Sequence, residues 1–226
     1  MHRLRSVPLV RLPVALAKLH WETRPGDIVA VDLPAARQQQ RLNDLVAGAG
    51  FEPGPTGFRR LRTLPDTVGP GMRVLVCGLN PSLAAADAGF GFAGATNRFW
   101  PAALRAGLVS RRGDPLRALT VDAVGMTDLV KRATTGTKAL QRAEYATGAE
   151  RVGRLVAWLR PRLVLFVGLE GWRSAIDAHA RPGLQAGPFG RAPAYVMPST
   201  SGLNAHARPA DLIAHLRAAQ AVAAEG

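Results

Sequence analysis

The chain has 226 residues, 47% of them hydrophobic and 20% charged, a composition typical of a globular protein and not of a disordered one. Its 29 basic and 16 acidic residues give a formal net charge of +13, which favours nucleic acid or another polyanion as partner, although an arginine-rich composition would produce the same excess. The single cysteine, Cys77, excludes an intramolecular disulfide, a multi-cysteine iron–sulfur cluster and a cysteine-based zinc site. The histidines show no paired metal-ligand spacing, so we expect no metal.

The basic N-terminus contains a short apolar stretch that resembles a signal peptide only superficially. Pro8 and Pro13 interrupt it, and Lys18 and His20 follow at once. No apolar run reaches the roughly 18 residues that a membrane span needs. We therefore expect a cytoplasmic protein without a membrane segment.

Apolar and β-branched runs predict four buried strands, and helical patterns predict five helices among them. In chain order the predicted elements are a strand at 28–32, a helix at 35–47, a strand at 73–78, helices at 97–107 and 137–159, a strand at 163–168, a helix at 172–180, a strand at 194–198 and a helix at 209–224. This alternation predicts a three-layer α/β/α fold with a central, mainly parallel sheet. Turn-forming residues between 50 and 71 divide the chain into an N-terminal extension, residues 1–70, and a principal domain, residues 71–226.

The first candidate functional segment is Gly-Leu-Asn-Pro-Ser at residues 78–82, directly after a predicted strand. Loops beyond the carboxyl ends of parallel strands are where α/β sheets bind ligands, so Asn80 is placed at the mouth of a site. The alternative is that Asn-Pro only forms a turn, and for this segment taken alone the turn is the better interpretation.

The second segment, residues 89–94, matches the pattern G-x-G-x-x-G. A dinucleotide-binding loop must follow a strand directly and open a helix, and this segment lies well beyond the end of the predicted strand. We therefore reject the interpretation of this segment as a dinucleotide-binding loop. A glycine-flanked loop that displays Phe90 and Phe92 suits stacking on a planar base, although we expect one of the two rings to pack in the core.

The third segment, residues 197–206, connects the last strand to the last helix. Its small hydroxyl residues and glycine allow backbone amides to approach phosphates, and Leu203 is suited to wedge between stacked bases. The alternative is a Ser/Thr-rich turn with a buried leucine. If the strands are parallel, all three segments lie at one edge of the sheet.

Together, residues 78–82, 89–93, 97–100 and 201–203 resemble the mismatch-specific uracil-DNA glycosylase/thymine-DNA glycosylase family, and residues 125–130, 132–135 and Lys138 are similar to it as well. The likeness covers about residues 71–223. It implies a uracil-DNA glycosylase fold and the excision, in base excision repair, of uracil or related damaged pyrimidines flipped out of double-stranded DNA, often opposite guanine and without a cofactor. A monomer associated with the nucleoid is the expected form.

The resemblance also implies roles for individual residues. Asn80 would position the attacking water, Phe92 would stack on the flipped base, and the backbone around Leu79 and Ser82 would bind the base edge. The loop that contacts DNA and fills the gap in the duplex would comprise Ser199, Ser201, Gly202, Leu203 and Asn204.

Several positions depart from the family pattern. Ser82 replaces a usual glycine, residues 199–202 are Ser-Thr-Ser-Gly where relatives often have Asn-Pro-Ser-Gly, Ala205 replaces an arginine that some relatives have, and Ala85 replaces a serine found in some bacterial relatives. These departures leave the preferred base and the recognition of the opposite base open.

An asparagine amide is a poor proton acceptor, so we expect Asn80 to orient water without deprotonating it. Asp87 is either a carboxylate base or, as we prefer, a helix or turn cap. No motif supplies a lysine nucleophile, so we expect a monofunctional enzyme. The alternatives are a non-catalytic damaged-DNA-binding module with the same fold and, less favoured, a nucleotide-dependent enzyme. The basic cluster at residues 59–62 is interpreted equally well as a phosphate contact, a solvated cluster or a structural brace.

Overall fold

The computed structural model describes residues 2–35 and 39–225. Its α-helices are α1 (Leu12–Glu22), α2 (Gln39–Gly48), α3 (Leu83–Ala88), α4 (Phe99–Arg105), α5 (Pro115–Thr120), α6 (Arg142–Leu159), α7 (Leu169–Ala175) and α8 (Pro209–Glu225). Its strands are β1 (His2–Arg3), β2 (Ile28–Val29), β3 (Val31–Asp32), β4 (Phe51–Gly54), β5 (Gly57–Arg60), β6 (Val74–Gly78), β7 (Val124–Asp128), β8 (Leu163–Val167), β9 (Gly183–Leu184) and β10 (Ala194–Met197). No helix in these ranges is both long and apolar enough to cross a membrane.

The central sheet has five strands in the order β7-β6-β8-β10-β9. Four of them are parallel, and the two-residue strand β9 pairs antiparallel with β10. The carboxyl ends of β6, β7, β8 and β10 therefore meet at one edge. In the register of β6 and β7, Gly78 lies opposite Asp128, so the last residues of the two strands are neighbours.

Helices cover both faces of this sheet, because alternate residues of each strand point to opposite sides. On β6, Val74 and Val76 pack into a core with α4 and α8, whereas Leu75 and Cys77 pack into a second core with α1, α2 and α6. All four of these side chains are buried. The predicted three-layer α/β/α fold with a mainly parallel sheet is confirmed.

The N-terminal residues form two small sheets and two helices that pack on one face of the central domain. One of these sheets has the order β2-β5-β4, and the other pairs β1 with β3. Leu16 of α1 and Leu45 of α2 belong to the same buried apolar cluster as Leu75 of β6 and Val152 of α6. The division into an extension and a principal domain at residue 70 stays a prediction, and the two parts share one continuous core.

The predicted central strands are correct to within one residue at each end for β6, β8 and β10, but other elements differ. The run 28–32 does not enter the central sheet; it forms β2 and β3, which belong to different small sheets, and Ile28 is 56% exposed. Strand β7, which follows β6 in chain order in the central sheet, was not predicted. The β4–β5 hairpin was not predicted either. The predicted helix at 35–47 begins at Gln39 in the structure, and its residues 36–38 lie outside the described residues.

The remaining helix predictions differ mainly at their ends. Residues 97–107 form the shorter α4, and residues 137–159 form a 3-10 turn at Thr137–Ala139 followed by α6. The helix predicted at 172–180 is α7, which begins earlier and ends at Ala175. The last helix, predicted at 209–224, is α8 and extends to Glu225. Helices α1, α3 and α5 were missed.

Candidate active site

A cleft of about 450 Å³ opens at the carboxyl edge of the central sheet. Its walls come from the segments that follow β6, β7, β8 and β10, and from the loop between α3 and α4. The predicted residues that line it are Leu79, Asn80, Ser82, Phe92, Ser199, Ser201, Gly202 and Leu203. The structure therefore brings the three candidate segments of the sequence together in one site.

The Asn80 side chain is held in a single orientation by acceptors around its amide nitrogen. Its Nδ2 donates to Thr134 Oγ1 at 2.8 Å and to the carbonyl oxygens of Arg132 and Pro81 at 3.0 and 3.2 Å. Because carbonyl oxygens can only accept, the NH₂ group must be on this side. Asn80 Oδ1 accepts no hydrogen bond from the described residues, so it is available to a water or a substrate.

Phe92 lines the cleft on a tightly held loop. Its backbone is in the left-handed region with φ +60°, a conformation that a bulky residue adopts only when its surroundings enforce it. The ring stacks on Phe99 with centroids 4.2 Å apart, and Trp100 Nε1 donates to the carbonyl of Gly91 at 2.8 Å. Phe90 instead packs edge-on against Trp100, so it is the ring that serves packing.

The N-terminal part of the chain supports this loop from the other side. Trp21 Nε1, at the end of α1, donates to the Gly89 carbonyl at 2.9 Å. Arg62 forms two hydrogen bonds with the Asp87 carboxylate at 2.8 and 2.6 Å, which lowers the pKa of that exposed carboxyl. Asp87 lies inside α3 and is not its cap, because Ser82 caps that helix; the expectation of a cap was wrong. Asp87 is also absent from the lining of the cleft.

Ser82 and Leu79 present backbone to the cleft, while their other groups are engaged. The Ser82 hydroxyl accepts from the Ala85 amide at 3.1 Å as the N-cap of α3, and the Leu79 carbonyl accepts from Val130 at 2.9 Å. Neither the Leu79 nor the Ser82 amide donates to an acceptor within the described ranges. These two N–H groups suit the hydrogen bonds to a base edge that the family resemblance implies for them.

The loop after β10 projects one apolar side chain into solvent. Leu203 is 97% exposed, the highest value among the large hydrophobic side chains of the described residues. A Cβ at Gly202 would come within 2.4 Å of Thr96 Oγ1, so the loop packs too closely on that residue for any side chain there.

Arg98 holds the base of this loop and was not assigned a role from the sequence. Its guanidinium donates to the carbonyl oxygens of Ser201 at 2.9 Å, Asn204 at 2.7 Å and Ala207. Asn204 does not line the cleft; its Nδ2 donates to the Ser199 carbonyl at 2.9 Å. The loop thus presents Leu203 on a hydrogen-bonded frame, and Asn204 belongs to that frame.

Asp128 is the residue of the cleft that the sequence analysis missed. It is the last residue of β7, and its carboxylate receives no hydrogen bond from the described residues. Burial raises its pKa to about 6; Asp66 adds to the rise, whereas Lys131 and Arg151 oppose it. A Cβ at Gly78 would lie 2.5 Å from Asp128 Oδ1, so the carboxylate occupies space that only a glycine at that position leaves free.

A buried ion cluster lies beneath Asp128. Asp66 pairs with Arg151 at 2.6 Å and with Lys131 at 3.0 Å, and it accepts from the Thr127 hydroxyl at 2.7 Å. Although burial alone would raise the pKa of Asp66, these partners hold it below its usual value. Arg151 also donates to the Asp128 carbonyl at 2.7 Å, so the cluster fixes the backbone that presents the carboxylate.

Two further features of the cleft bear on its chemistry. Glu170, in the first turn of α7, is a second carboxylate in the lining and accepts from Tyr145 Oη at 3.2 Å. Among the described residues no group of three or more His, Cys, Asp and Glu side chains is arranged to hold a metal.

A cleft at the carboxyl edge of a parallel sheet between helices is where α/β enzymes and binding proteins hold their ligands. A family model described as the uracil DNA glycosylase superfamily matches residues 65–220, a stretch that contains the central sheet and all three loops of the cleft. The chain belongs to the uracil DNA glycosylase superfamily. It is accordingly a DNA glycosylase, a hydrolase of base excision repair that acts on DNA.

Proposed function

We propose that this protein is a monofunctional, mismatch-specific glycosylase that hydrolyses the N-glycosidic bond of uracil or a related damaged pyrimidine, flipped out of double-stranded DNA from a pair with guanine. The observation that supports this most strongly is one cleft that contains an oriented amide, Asn80, an aromatic plate, Phe92, and a carboxylate, Asp128, beside the exposed Leu203.

The cleft fits a single extruded nucleotide. Its volume of about 450 Å³ lies within the range of roughly 300–1,000 Å³ typical of small-molecule sites. Phe92 would stack on the base, since its plane is fixed by Phe99. The unpaired amides of Leu79 and Ser82 would donate to the acceptors on the base edge, and donors aimed there also stabilise a pyrimidine that leaves as an anion.

The loop from Ser199 to Asn204 would contact the DNA backbone and open the duplex. Leu203 is the only described residue of this loop with a large apolar side chain, and it would fill the gap that the extruded base leaves. The Arg98 frame would keep the loop from collapsing when the leucine is pushed against stacked bases.

Asn80 and Asp128 would activate the water. Asn80 Oδ1 accepts one hydrogen of the water, and the Asp128 carboxylate accepts the proton that the water releases as its oxygen bonds to C1′ and the base departs with the bonding electrons. A carboxyl with a pKa of about 6 is largely ionised at neutral pH and is a better base than an ordinary aspartate. Asn80 keeps the water-orienting role expected from the sequence, and Asp128 is the proposed base.

The remaining features of the proposal follow from what lines the cleft. No lysine is among the described lining residues, and Lys131 is engaged by Asp66, so water and not an amine is the proposed nucleophile. Every group of the mechanism comes from one chain, which suits a monomer. A location at the nucleoid in the cytoplasm, where the substrate would lie, belongs to the same proposal.

The test is the cleavage of labelled duplexes that contain a U·G, U·A, T·G or undamaged pair, with and without alkali. We expect product from uracil duplexes, U·G above U·A, and strand breaks only after alkali. Asn80→Ala and Asp128→Asn should each lose at least about a hundredfold in turnover, the lower end of the range for acid–base catalysis of about 10²–10⁴. The matched control is Asn43→Ala on the exposed side of α2.

DNA affinity separates catalysis from binding. Both active-site variants should bind a uracil duplex within a few-fold of the unmodified protein. Salt-dependent binding without product from any uracil duplex would instead support the damaged-DNA-binding module, and full activity of Asn80→Ala would refute the water-positioning role.

A further inference from the structure

A second cavity, far smaller than the cleft, adjoins the cleft at Phe92. Its volume of about 20 Å³ is enough for one water molecule, which needs roughly 10–15 Å³ by the same kind of measure. Both spaces are lined by Leu64, Gly91, Phe92 and Asp128, so the Asp128 carboxylate lies between the small cavity and the cleft. Thr67 lines the small cavity only.

Thr67 has a buried hydroxyl without a partner. The residue is 1% exposed, and its Oγ1 makes no hydrogen bond within the described part of the chain. Its backbone is fixed, because its N–H and C=O both bond to Met126 at 2.9 Å. Buried polar atoms in native proteins nearly always have a partner, so an orphaned hydroxyl beside a water-sized cavity indicates an ordered water.

The Asp128 carboxylate lacks a hydrogen-bond donor among the described residues. The neighbouring donors are all committed elsewhere: Thr127 and Lys131 donate to Asp66, and Arg151 divides its bonds between Asp66 and carbonyl and hydroxyl oxygens. The charged and titratable groups around the carboxylate are Asp66 before β6, Cys77 on β6, Lys131 after β7, Arg151 on α6 and, in the cleft, Glu170 on α7. None of them donates a hydrogen bond to it.

We propose that one buried water in this cavity links Thr67 Oγ1 to the Asp128 carboxylate, and that Thr67 is thereby a positioning residue for the base. The inference rests on the proposed function for its catalytic consequence, but not for the water itself. The water accepts from or donates to the threonine hydroxyl and donates one hydrogen to the carboxylate. That hydrogen bond favours the ionised form of the carboxylate. It holds one carboxylate oxygen on the side of the small cavity, so that the other oxygen faces the cleft.

The test compares Thr67→Val, which keeps the shape and removes the hydroxyl, with Thr67→Ser, which keeps the hydroxyl. We measure single-turnover rates on a U·G duplex as a function of pH, with Thr120→Val at the exposed end of α5 as control. Thr67→Val should raise the pKa that defines the acid limb of the pH–rate profile by about one unit, the effect of losing roughly one hydrogen bond to a charged group. At pH values below that limb the rate should therefore fall about tenfold. Thr67→Ser and Thr120→Val should keep the original limb.

A readout without activity separates this inference from the proposed function. The pH dependence of the difference in unfolding free energy between each protein and its Asp128→Asn derivative reports the pKa of Asp128 directly. The same upward shift in Thr67→Val supports the water link even if no uracil substrate is cleaved, which would refute the proposed function alone. An unchanged Asp128 pKa in Thr67→Val overturns the link.

A crystal structure of the unmodified protein near 1.2 Å resolution serves if Thr67→Val does not fold. We expect density for one water within hydrogen-bonding distance of both Thr67 Oγ1 and the Asp128 carboxylate. A dry cavity, or a water that contacts only one of the two, overturns the proposal.

Discussion

Asp128→Asn is expected to stabilise the protein while it removes activity. Burial raises the pKa of Asp128 from 3.8 to about 6, so the folded protein binds this proton more tightly than the unfolded chain does. The contribution of the carboxyl to stability is therefore present in full below its unfolded pKa and is lost as the pH rises through 6. A difference of about two units corresponds to about 3 kcal/mol at about 1.4 kcal/mol per unit, and access of water from the cleft reduces this to about 2 kcal/mol.

Urea unfolding followed by tryptophan fluorescence at pH 8 and pH 4 measures this difference. Asp128→Asn should be more stable than the unmodified protein by about 2 kcal/mol at pH 8 and nearly equal to it in stability at pH 4, just above the unfolded pKa, where the native carboxyl is already protonated. Asp87→Asn is the control of opposite sign, because Arg62 lowers the pKa of Asp87, and it should bring no gain at pH 8. Equal stabilities at pH 8, or a gain that persists at pH 4, would refute the assignment of a raised pKa to Asp128.

Two further predictions concern the loops around the cleft. Trp21→Phe removes the hydrogen bond to the Gly89 carbonyl. It should lower kcat/KM on a U·G duplex about fivefold, since a typical hydrogen bond contributes roughly 1 kcal/mol. The control Trp158→Phe, near the C-terminal end of α6, should leave kcat/KM unchanged. Leu203→Ala should lower the rate on duplex DNA at least about tenfold and leave the rate on single-stranded DNA unaltered, because only the duplex must be held open, at a cost of a few kcal/mol. The control is Leu184→Ala, which changes another exposed leucine. Equal losses on both substrates would contradict the wedge role.

The central strands could be predicted because burial on both faces makes them continuous apolar runs. Strands β6, β8 and β10 are each covered by helices on both sides, and their sequences show it. Strand β7 lies at the sheet edge and contains Gly125, Thr127 and Asp128, which obscure the apolar pattern. The hairpin of β4 and β5 turns through Pro55 and Thr56, and the same prolines and glycines that permit this turn made the segment resemble a linker.

The run at 28–32 shows the limit of local patterns. It has the apolar composition of a core strand, but which strand it pairs with depends on contacts distant in sequence, and β2 pairs with β5 outside the central sheet. The same limit applied to the site. Asn80, Phe92 and Leu203 lie in loops whose composition is unusual and could be identified, whereas Asp128 is distinctive only as a carboxylate at the end of β7. If β7 had been recognised as a strand, Asp128 would have been placed at the carboxyl ends of the parallel strands, where ligands bind.

The close contact between Gly78 and Asp128 makes substitutions at these two positions depend on each other. A Cβ at residue 78 would lie 2.5 Å from Asp128 Oδ1 but 3.6 Å from Asp128 Cγ, so an alanine there requires the carboxylate to turn away from its present position. A side chain at 128 that is shorter than aspartate would not need to move. The two strand ends are therefore an epistatic pair, because an aspartate at 128 is better tolerated while residue 78 is glycine.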